Sequence, residues 1–306
     1  MPPFESALFP LVRRLKRPVR ARALVCGHRG SPREAPENTL ASFEKAIASG
    51  ADLVEFDVQL SQDGEALVIH DEKVDRTTDG RGEVRKLPAA RIRELDAGSW
   101  FSPAFRGERV PTLDETLDLL RGRAVPLVEL KVKKNHGTDA GARVVAALGR
   151  AGMLEDAVVI CHDVARAREV AGAAQRTPVA LLTLTKGQAR AAQKQECVSG
   201  LDIYWKSISL RLLAELRARP GFFLTPWTVN REKDQERLLG LGLECLITDA
   251  PGALRALVDR LDLERMEHEL LSRLARGEDV DLELEKTDDP SPDELACEET
   301  REAEGG

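Results

Sequence analysis

The sequence predicts an α/β fold, a (β/α)8 TIM barrel, from two patterns and one interruption. Short apolar runs alternate with helix-like stretches, as in a parallel sheet covered by helices. The runs are eight in number, and eight strand–helix units in about 240 residues suit a closed barrel better than an open doubly wound sheet. The alternation breaks once, over 61–111, where an Asp-Gly turn signal and a long irregular stretch follow the second run.

In chain order, the first run, 23–27, ends in His28-Arg29-Gly30, so a basic pair sits where a buried strand leaves the core. Glu37-Asn38-Thr39 then opens a helix over 38–49, in which Leu40, Phe43, Ala46 and Ile47 share one face. The second strand, 53–60, runs into Asp63-Gly64. With those two residues as the turn, hairpin partners sum to 127, so Asp57 faces His70. The remainder of 61–111 reads as an inserted loop with little regular structure, a length uncommon unless it serves function. Strands at 125–131, 157–161, 178–184, 201–205, 222–229 and 244–248 follow. Helices at 112–121, 139–150, 164–173, 186–195, 208–218 and 231–241 lie between them. The expected division is a basic leader over 1–22, the barrel over 23–261 and an acidic, flexible tail over 262–306.

Charge supports that division. The chain carries a formal net charge of −7. From Asp262 onward there are 17 acidic and 5 basic residues, a net of −12, so residues 1–261 carry +5. The basic residues form no stripe interleaved with aromatics, which argues against nucleic acid as a partner. No apolar run approaches the ~20 residues that span a bilayer. In the leader, charges follow the apolar part instead of preceding it, unlike a signal peptide. Its basic residues beside Phe4, Leu8 and Phe9 allow weak peripheral membrane contact, against the plainer reading of a solvated leader. The five cysteines (Cys26, Cys161, Cys197, Cys245, Cys297) are odd in number and lack CxxC spacing, which points to a reduced, cytoplasmic protein without a disulfide framework.

The chemistry-bearing residues gather at strand ends. Glu55 and Asp57 are two apart on one strand and share a face, as do Glu129 and Lys131 on the next. Three acids from adjacent strand ends suit a hard divalent cation, Ca2+ or Mg2+, or else salt bridges to Arg29 and Lys131; spacing alone leaves both open. His28 and His70 fall beside these acids, and two imidazoles with a cationic pair suit phosphoryl chemistry, one as base and one as acid. His162 ends the fourth strand and lines the same mouth. His136 lies in a loop and His268 in the tail.

The stretch GHRGSPREAPENTLASFEKAIASGADLVEFDVQLSQDGEALVIHD resembles the opening signature of the glycerophosphodiester phosphodiesterase family. The resemblance continues through DRTTDGRGEV, PTLDETL, LVELK, PWTVN and LITDAP, in order, over roughly 23–255. It implies a TIM barrel that hydrolyses glycerophosphodiesters to glycerol 3-phosphate and an alcohol with one divalent cation. It also implies His28 and His70 as the acid/base pair and Glu55, Asp57 and Glu129 as metal ligands. Arg29 and Lys131 become phosphate contacts, and Trp227 lines the substrate pocket. The chain departs from the family where Cys161-His162 replaces a frequent Ser-Phe. Cyclising phospholipase D-type lyases share the barrel and the histidine pair but carry a disulfide-bonded loop, which nothing here suggests. A non-catalytic phospho-ligand-binding barrel would not need this full set of residues.

Overall fold

The structure, a computed structural model, describes residues 7–15, 23–132 and 139–276. Its strands are β1 (Leu24–Gly27), β2 (Leu53–Leu60), β3 (Ala66–Val68), β4 (Val125–Leu130), β5 (Val158–Cys161), β6 (Val179–Thr183), β7 (Gly200–Tyr204), β8 (Phe223–Trp227) and β9 (Cys245–Thr248). All but β3 run parallel, in the order β8-β7-β6-β5-β4-β2-β1-β9. The ends of that path meet: Val229 N–H donates to Ile247 O at 2.8 Å, beside β8 and β9. The eight parallel strands are thus nearly closed into the expected barrel.

The helices are α1 (Leu8–Arg13), α2 (Leu40–Ala48), α3 (Ala89–Ile92), α4 (Leu113–Leu120), α5 (Ala140–Arg150), α6 (Val164–Ala173), α7 (Lys186–Gln193), α8 (Leu210–Arg217), α9 (Glu232–Gly240), α10 (Pro251–Arg260) and α11 (Leu263–Ala275). Several start at a side-chain cap, among them α2 at Thr39, α6 at Asp163 and α8 at Ser209. Thr112 and Glu115 make a reciprocal capping box on α4, Thr185 and Gln188 another on α7, satisfying backbone N–H groups that have no helical partner. One large core joins the outward strand faces to the helices, with Phe43 against Phe56 at a 5.6 Å ring separation.

A second core fills the barrel's lower end. Inward residues such as Leu24, Leu53, Leu127, Ile160 and Phe223 pack with Leu8, Leu11 and Val12 of α1. Leu8, Leu11 and Val12 therefore plug the barrel, and Leu8, fully buried, is not available to a lipid surface. Phe4 and residues 16–22 lie outside the described residues, as do His136 and Cys297. Cys26, Cys161 and Cys245 are buried free thiols and Cys197 is partly buried and free. The acidic stretch begins as α11, a helix of 13 residues that lies against α9. The rest of the predicted tail, 277–306, is outside the described residues. No described helix is long and apolar enough to cross a membrane.

The hairpin after β2 forms, but one residue out of the expected register. The observed pairs Val58–Val68, Gln59–Leu67 and Leu60–Ala66 sum to 126, not 127. Asp63-Gly64 does not form a two-residue turn. Ser61 O instead accepts from Gly64 N–H at 3.0 Å, Ser61 N–H donates to Glu65 O, and Gly64 takes a φ of 80°. That is a three-residue loop with glycine in the left-handed position. Its consequence is that Asp57 pairs with Ile69, whose N–H donates to Asp57 O at 3.0 Å. The remainder of 61–111 is mostly irregular, with α3 and two short 3-10 turns at Val84–Lys86 and Pro103–Phe105. It also has a small core of its own, including Leu67, Val74, Ile92 and Leu95.

Candidate active site

Period-two alternation inside the barrel carries each strand from its apolar lower positions to a polar upper one. Beyond Cys26 comes His28, and beyond Leu53 come Glu55 and Asp57. Leu127 leads to Glu129 and Lys131, Ile160 to His162, Phe223 to Thr225 and Trp227, and Ile247 to Asp249. Parallel register sets Asp57 directly beside Glu129. Glu55 and Asp57 lie within β2, and the other nominated residues stand at the C-terminal end of a strand or just past it.

The first loop is shaped to reach the acids. Arg29 takes a φ of 49°, a left-handed conformation that non-glycine residues rarely adopt, and its N–H donates to Glu55 Oε2 at 2.8 Å. Gly30, with a φ of 92°, lies where a Cβ would come within 2.3 Å of Ser42 Oγ. That hydroxyl donates to Arg29 O and accepts from Ser31 N–H, fixing the loop to α2. The helix itself is capped by Thr39, which accepts from Ser42 N–H. Glu37 and Asn38 are not part of it. Asn38, at a φ of 57°, donates from Nδ2 to Asp57 Oδ2 at 2.8 Å and accepts from Asp57 N–H at 3.2 Å. Glu37 accepts from Arg29 and, through both oxygens, from Arg76, each at 2.8 Å.

Glu55, Asp57 and Glu129 converge. One oxygen of each lies within 4.8 Å of the others, and all three side chains are buried. Oxygens this close together can serve as a shared ligand set for one hard divalent cation. The acids also meet cations: Arg29 Nε is 3.3 Å from Asp57 Oδ2, and Lys131 Nζ is 2.6 Å from Glu129 Oε1 and 3.6 Å from Asp57 Oδ1. Hydrogen bonding does not use every oxygen, and Glu55 Oε1 has no ion pair either among the described residues. Glu55 Oε1 and Asp57 Oδ1 are buried without a hydrogen-bond partner, a costly state unless something positive fills the space between them. The residues present therefore fit a metal ion.

The electrostatics divide the cluster. Burial, together with Asp57 and Glu129, pushes the Glu55 carboxyl well above the usual range. Burial also opposes ionisation of Glu129, but Lys131 and His162 outweigh it and hold that carboxyl well down. For Asp57, burial is overcome by His70, Arg29 and Lys131. Lys131 and Arg29 are desolvated yet kept firmly protonated, the first by Glu129 and Asp57, the second by Asp57 and Glu37.

The histidines are clamped alike. His28 Nδ1 is 2.7 Å from Asp249 Oδ1, and His70 Nδ1 is 2.7 Å from Asp71 Oδ1. A carboxylate only accepts, so each Nδ1 carries the hydrogen and each Nε2 is left for chemistry. Asp249 is held in turn by Asn230 Nδ2 at 2.6 Å, and Asp71 by Arg76. His70 reaches the acids although the hairpin is out of register, because the chain leaves β3 at Val68 and turns. Gln59 Nε2 holds the new path by donating to His70 O at 3.0 Å. Burial and the nearby Lys131 and Arg29 lower its pKa, favouring the neutral ring. Trp227 stands at the rim against Tyr204, ring centroids 5.9 Å apart, with Nε1 buried and unpaired.

The profile of the Glycerophosphoryl diester phosphodiesterase family matches residues 28–253. This chain belongs to that family. It is 36% identical over 242 residues to a glycerophosphodiester phosphodiesterase of Caldanaerobacter subterraneus subsp. tengcongensis, covering 78% of this chain and 98% of that one. A glycerophosphodiester phosphodiesterase of Bacillus subtilis is 30% identical over 249 residues, covering 75% and 84%. Among solved structures, a phosphodiesterase of Oleispira antarctica in complex with the product sn-glycerol-3-phosphate superposes with a TM-score of 0.72. It is 28% identical and covers 77% of this chain and 96% of that chain. A glycerophosphodiester phosphodiesterase of Agrobacterium tumefaciens gives 0.68 at 29% identity, covering 76% and 99%.

Within this phosphodiesterase fold, sequence reasoning missed the clamps Asp249 and Asp71 and the linkers Glu37, Asn38 and Asn230. Asp249 had a signal: it continues the inward alternation of β9 beyond Ile247, in LITDAP. Asp71 had only its adjacency to His70.

Proposed function

We propose that this chain hydrolyses glycerophosphodiesters to glycerol 3-phosphate and an alcohol, by histidine acid–base catalysis at a site holding one divalent cation. The observation that carries the reading is the buried carboxylate triad with two oxygens that lack a hydrogen-bond partner, flanked by two carboxylate-clamped histidines at the barrel mouth. Glu55, Asp57 and Glu129 hold the cation, Ca2+ or Mg2+, since both prefer oxygen ligands. When bound, it offsets charge on the phosphoryl oxygens. With the cation bound, Glu55 would be held ionised, and three carboxylates against Arg29, Lys131 and a dication would leave one net positive charge. A phosphodiester anion is then attracted, not repelled.

Arg29 and Lys131 bind the non-bridging oxygens and stabilise charge as it develops. One of His28 and His70 takes a proton at Nε2 from the nucleophile. The other returns one to the leaving alkoxide, with Asp249 and Asp71 holding the rings in the required tautomer. Trp227 offers an apolar wall to the substrate beside the phosphate. The substrate is a small molecule in the cytoplasm, in keeping with the free thiols. The product complex of the Oleispira antarctica relative supports glycerol 3-phosphate as the product. The test is phosphorus NMR of a panel of glycerophosphodiesters with choline, ethanolamine and glycerol head groups. Glycerol 3-phosphate should form, stop on chelation and resume with Ca2+ or Mg2+ alone. A cyclic ester as the final product would make the chain a lyase, and no turnover of any substrate with either cation would sink the reading.

A further inference from the structure

The fourth barrel strand ends in a histidine that the acid–base scheme does not use. His162 follows Cys161, the last residue of β5, and Asp163 immediately caps α6, accepting from Arg166 N–H at 3.0 Å. The ring thus stands on a two-residue link between a fully buried strand and a capped helix, a rigid mount. Its Nε2 lies 2.6 Å from Glu129 Oε1. Because a carboxylate cannot donate, Nε2 carries the hydrogen and the contact is a charge-assisted bond. Lys131 Nζ meets the same oxygen, also at 2.6 Å. Neither of these bonds goes to Oε2. Glu129 is 8% exposed at its side chain and His162 is 32% exposed, so the bond is largely shielded from water.

We propose that His162 is a positioning residue for Glu129, clamping Oε1 from the β5 side so that Oε2 is presented with Glu55 and Asp57 to the cation. Lys131 alone is a point charge on a flexible stem and does not fix the rotation of the carboxylate. An imidazole approaching from the neighbouring strand does, since two donors from different directions define the plane in which Oε1 sits. Donors of this kind orient ligand groups, and their loss costs 10–100-fold in metal affinity in comparable sites, as an order of magnitude. His162 is not itself a ligand in this proposal, because the group of atoms close enough to share one ion comprises Glu55, Asp57 and Glu129. The inference rests on the cation reading of the site given above.

The experiment titrates metal-free protein with Mn2+ alone, reading free Mn2+ by electron paramagnetic resonance. His162→Phe keeps a ring and removes the donor, so Mn2+ affinity should fall roughly 10–100-fold. His162→Gln retains an N–H donor at similar reach and should stay within about threefold of the wild type, on the same reasoning. The thermal midpoint of the metal-free His162→Phe protein should stay close to wild type, since no core packing is lost. Should His162→Phe fail to fold, His162→Asn, too short to reach Glu129, takes its place with the same expectation. Unchanged Mn2+ affinity in the donorless variant overturns the proposal, as does equal weakening in His162→Gln. A nitrogen coupling to bound Mn2+ that disappears in His162→Gln also overturns it, by making the histidine a ligand. Glu55→Gln is the control. If it too leaves Mn2+ binding intact, the cation is not at the triad, and the functional reading fails together with this inference.

Discussion

Replacing Glu37 by Gln tests whether the charge at the entrance of the site is held as the structure describes. The carboxylate accepts one bond from Arg29 and two from Arg76, all at 2.8 Å. Burial would raise its pKa, but Arg76 and Arg29 outweigh burial and bring it from 4.5 down to about 2. Each pH unit corresponds to about 1.4 kcal/mol, so the ionised form contributes at most about 3 kcal/mol at pH 7. That is an upper value, because Arg76 is 45% exposed and water screens its share. The folded pKa is depressed, so the contribution is full above pH 4.5 and is lost as pH falls towards 2. At pH 3 about 1.4 kcal/mol should remain by the same linkage. Urea unfolding of chelated wild type and Glu37→Gln at pH 7, 4 and 3 measures the difference at each pH, and titration of all other carboxylates cancels in it. The gap should be largest at pH 7 and shrink by about half at pH 3. A gap constant from pH 7 to pH 3 would show that the loss is one of shape and neutral hydrogen bonding, and the ionic account of this network would be wrong.

The catalytic pair and the buried Asp202 supply two further tests. His28→Ala and His70→Ala should each lower turnover by ~10²–10⁴-fold. A nitrophenyl leaving group, which needs no proton, should restore whichever variant lost the acid; if neither recovers and both lose metal, the histidines are supports and not acid and base. Asp202 is buried and accepts from Thr225 Oγ1 at 2.8 Å, and burial with Glu129 nearby raises its pKa well above the usual range. A raised folded pKa makes stability fall as pH rises above the unfolded value of ~3.8, so Asp202→Asn should raise the urea midpoint at pH 7, more at pH 8 than at pH 5. A lower midpoint would mean that the ionised acid has a partner that the neutral amide cannot replace.

The strands were legible because each is an apolar run bounded by turn residues, and the acids were legible because two-residue spacing on a strand fixes a shared face. The hairpin register was not. Whether Gly64 belongs to a two-residue or a three-residue turn is decided by Ser61 pairing with Glu65, whose backbone nitrogen also donates to Ser61 Oγ at 3.0 Å. His70 still acts on the Asp57 charge, but after the bend beyond β3 its Nδ1 partner is Asp71 and not Asp57. Asp249 was hidden for a different reason: it clamps the first histidine because β9, the last strand in sequence, pairs with β1, the first, and no local pattern announces that pairing. The burial of α1 depends on closure of the barrel, since an open sheet has no lower end to plug. Glu37 and Asn38 were read as helix openers from their residue types, which favour that position. Only the left-handed Asn38 backbone turns them to the acids instead.

A closed barrel is also what makes so acidic a cluster tolerable. Taking each carboxylate out of water costs several kcal/mol after relaxation, and three of them side by side add mutual repulsion. The fold answers with donors from four directions: the Arg29 backbone on Glu55, Asn38 on Asp57, Lys131 and His162 on Glu129. Those donors come from the two ends of the loop between β1 and α2, the end of β4 and the end of β5, which the barrel brings to one axis. Two oxygens, Glu55 Oε1 and Asp57 Oδ1, are left over. Structural ion pairs would be expected to close that gap with another arginine or amide, because an unpaired buried acceptor is costly. Asp57 Oδ1 still has Lys131 Nζ at 3.6 Å, whereas Glu55 Oε1 has no partner among the described residues, so the proposed cation would answer Glu55 first.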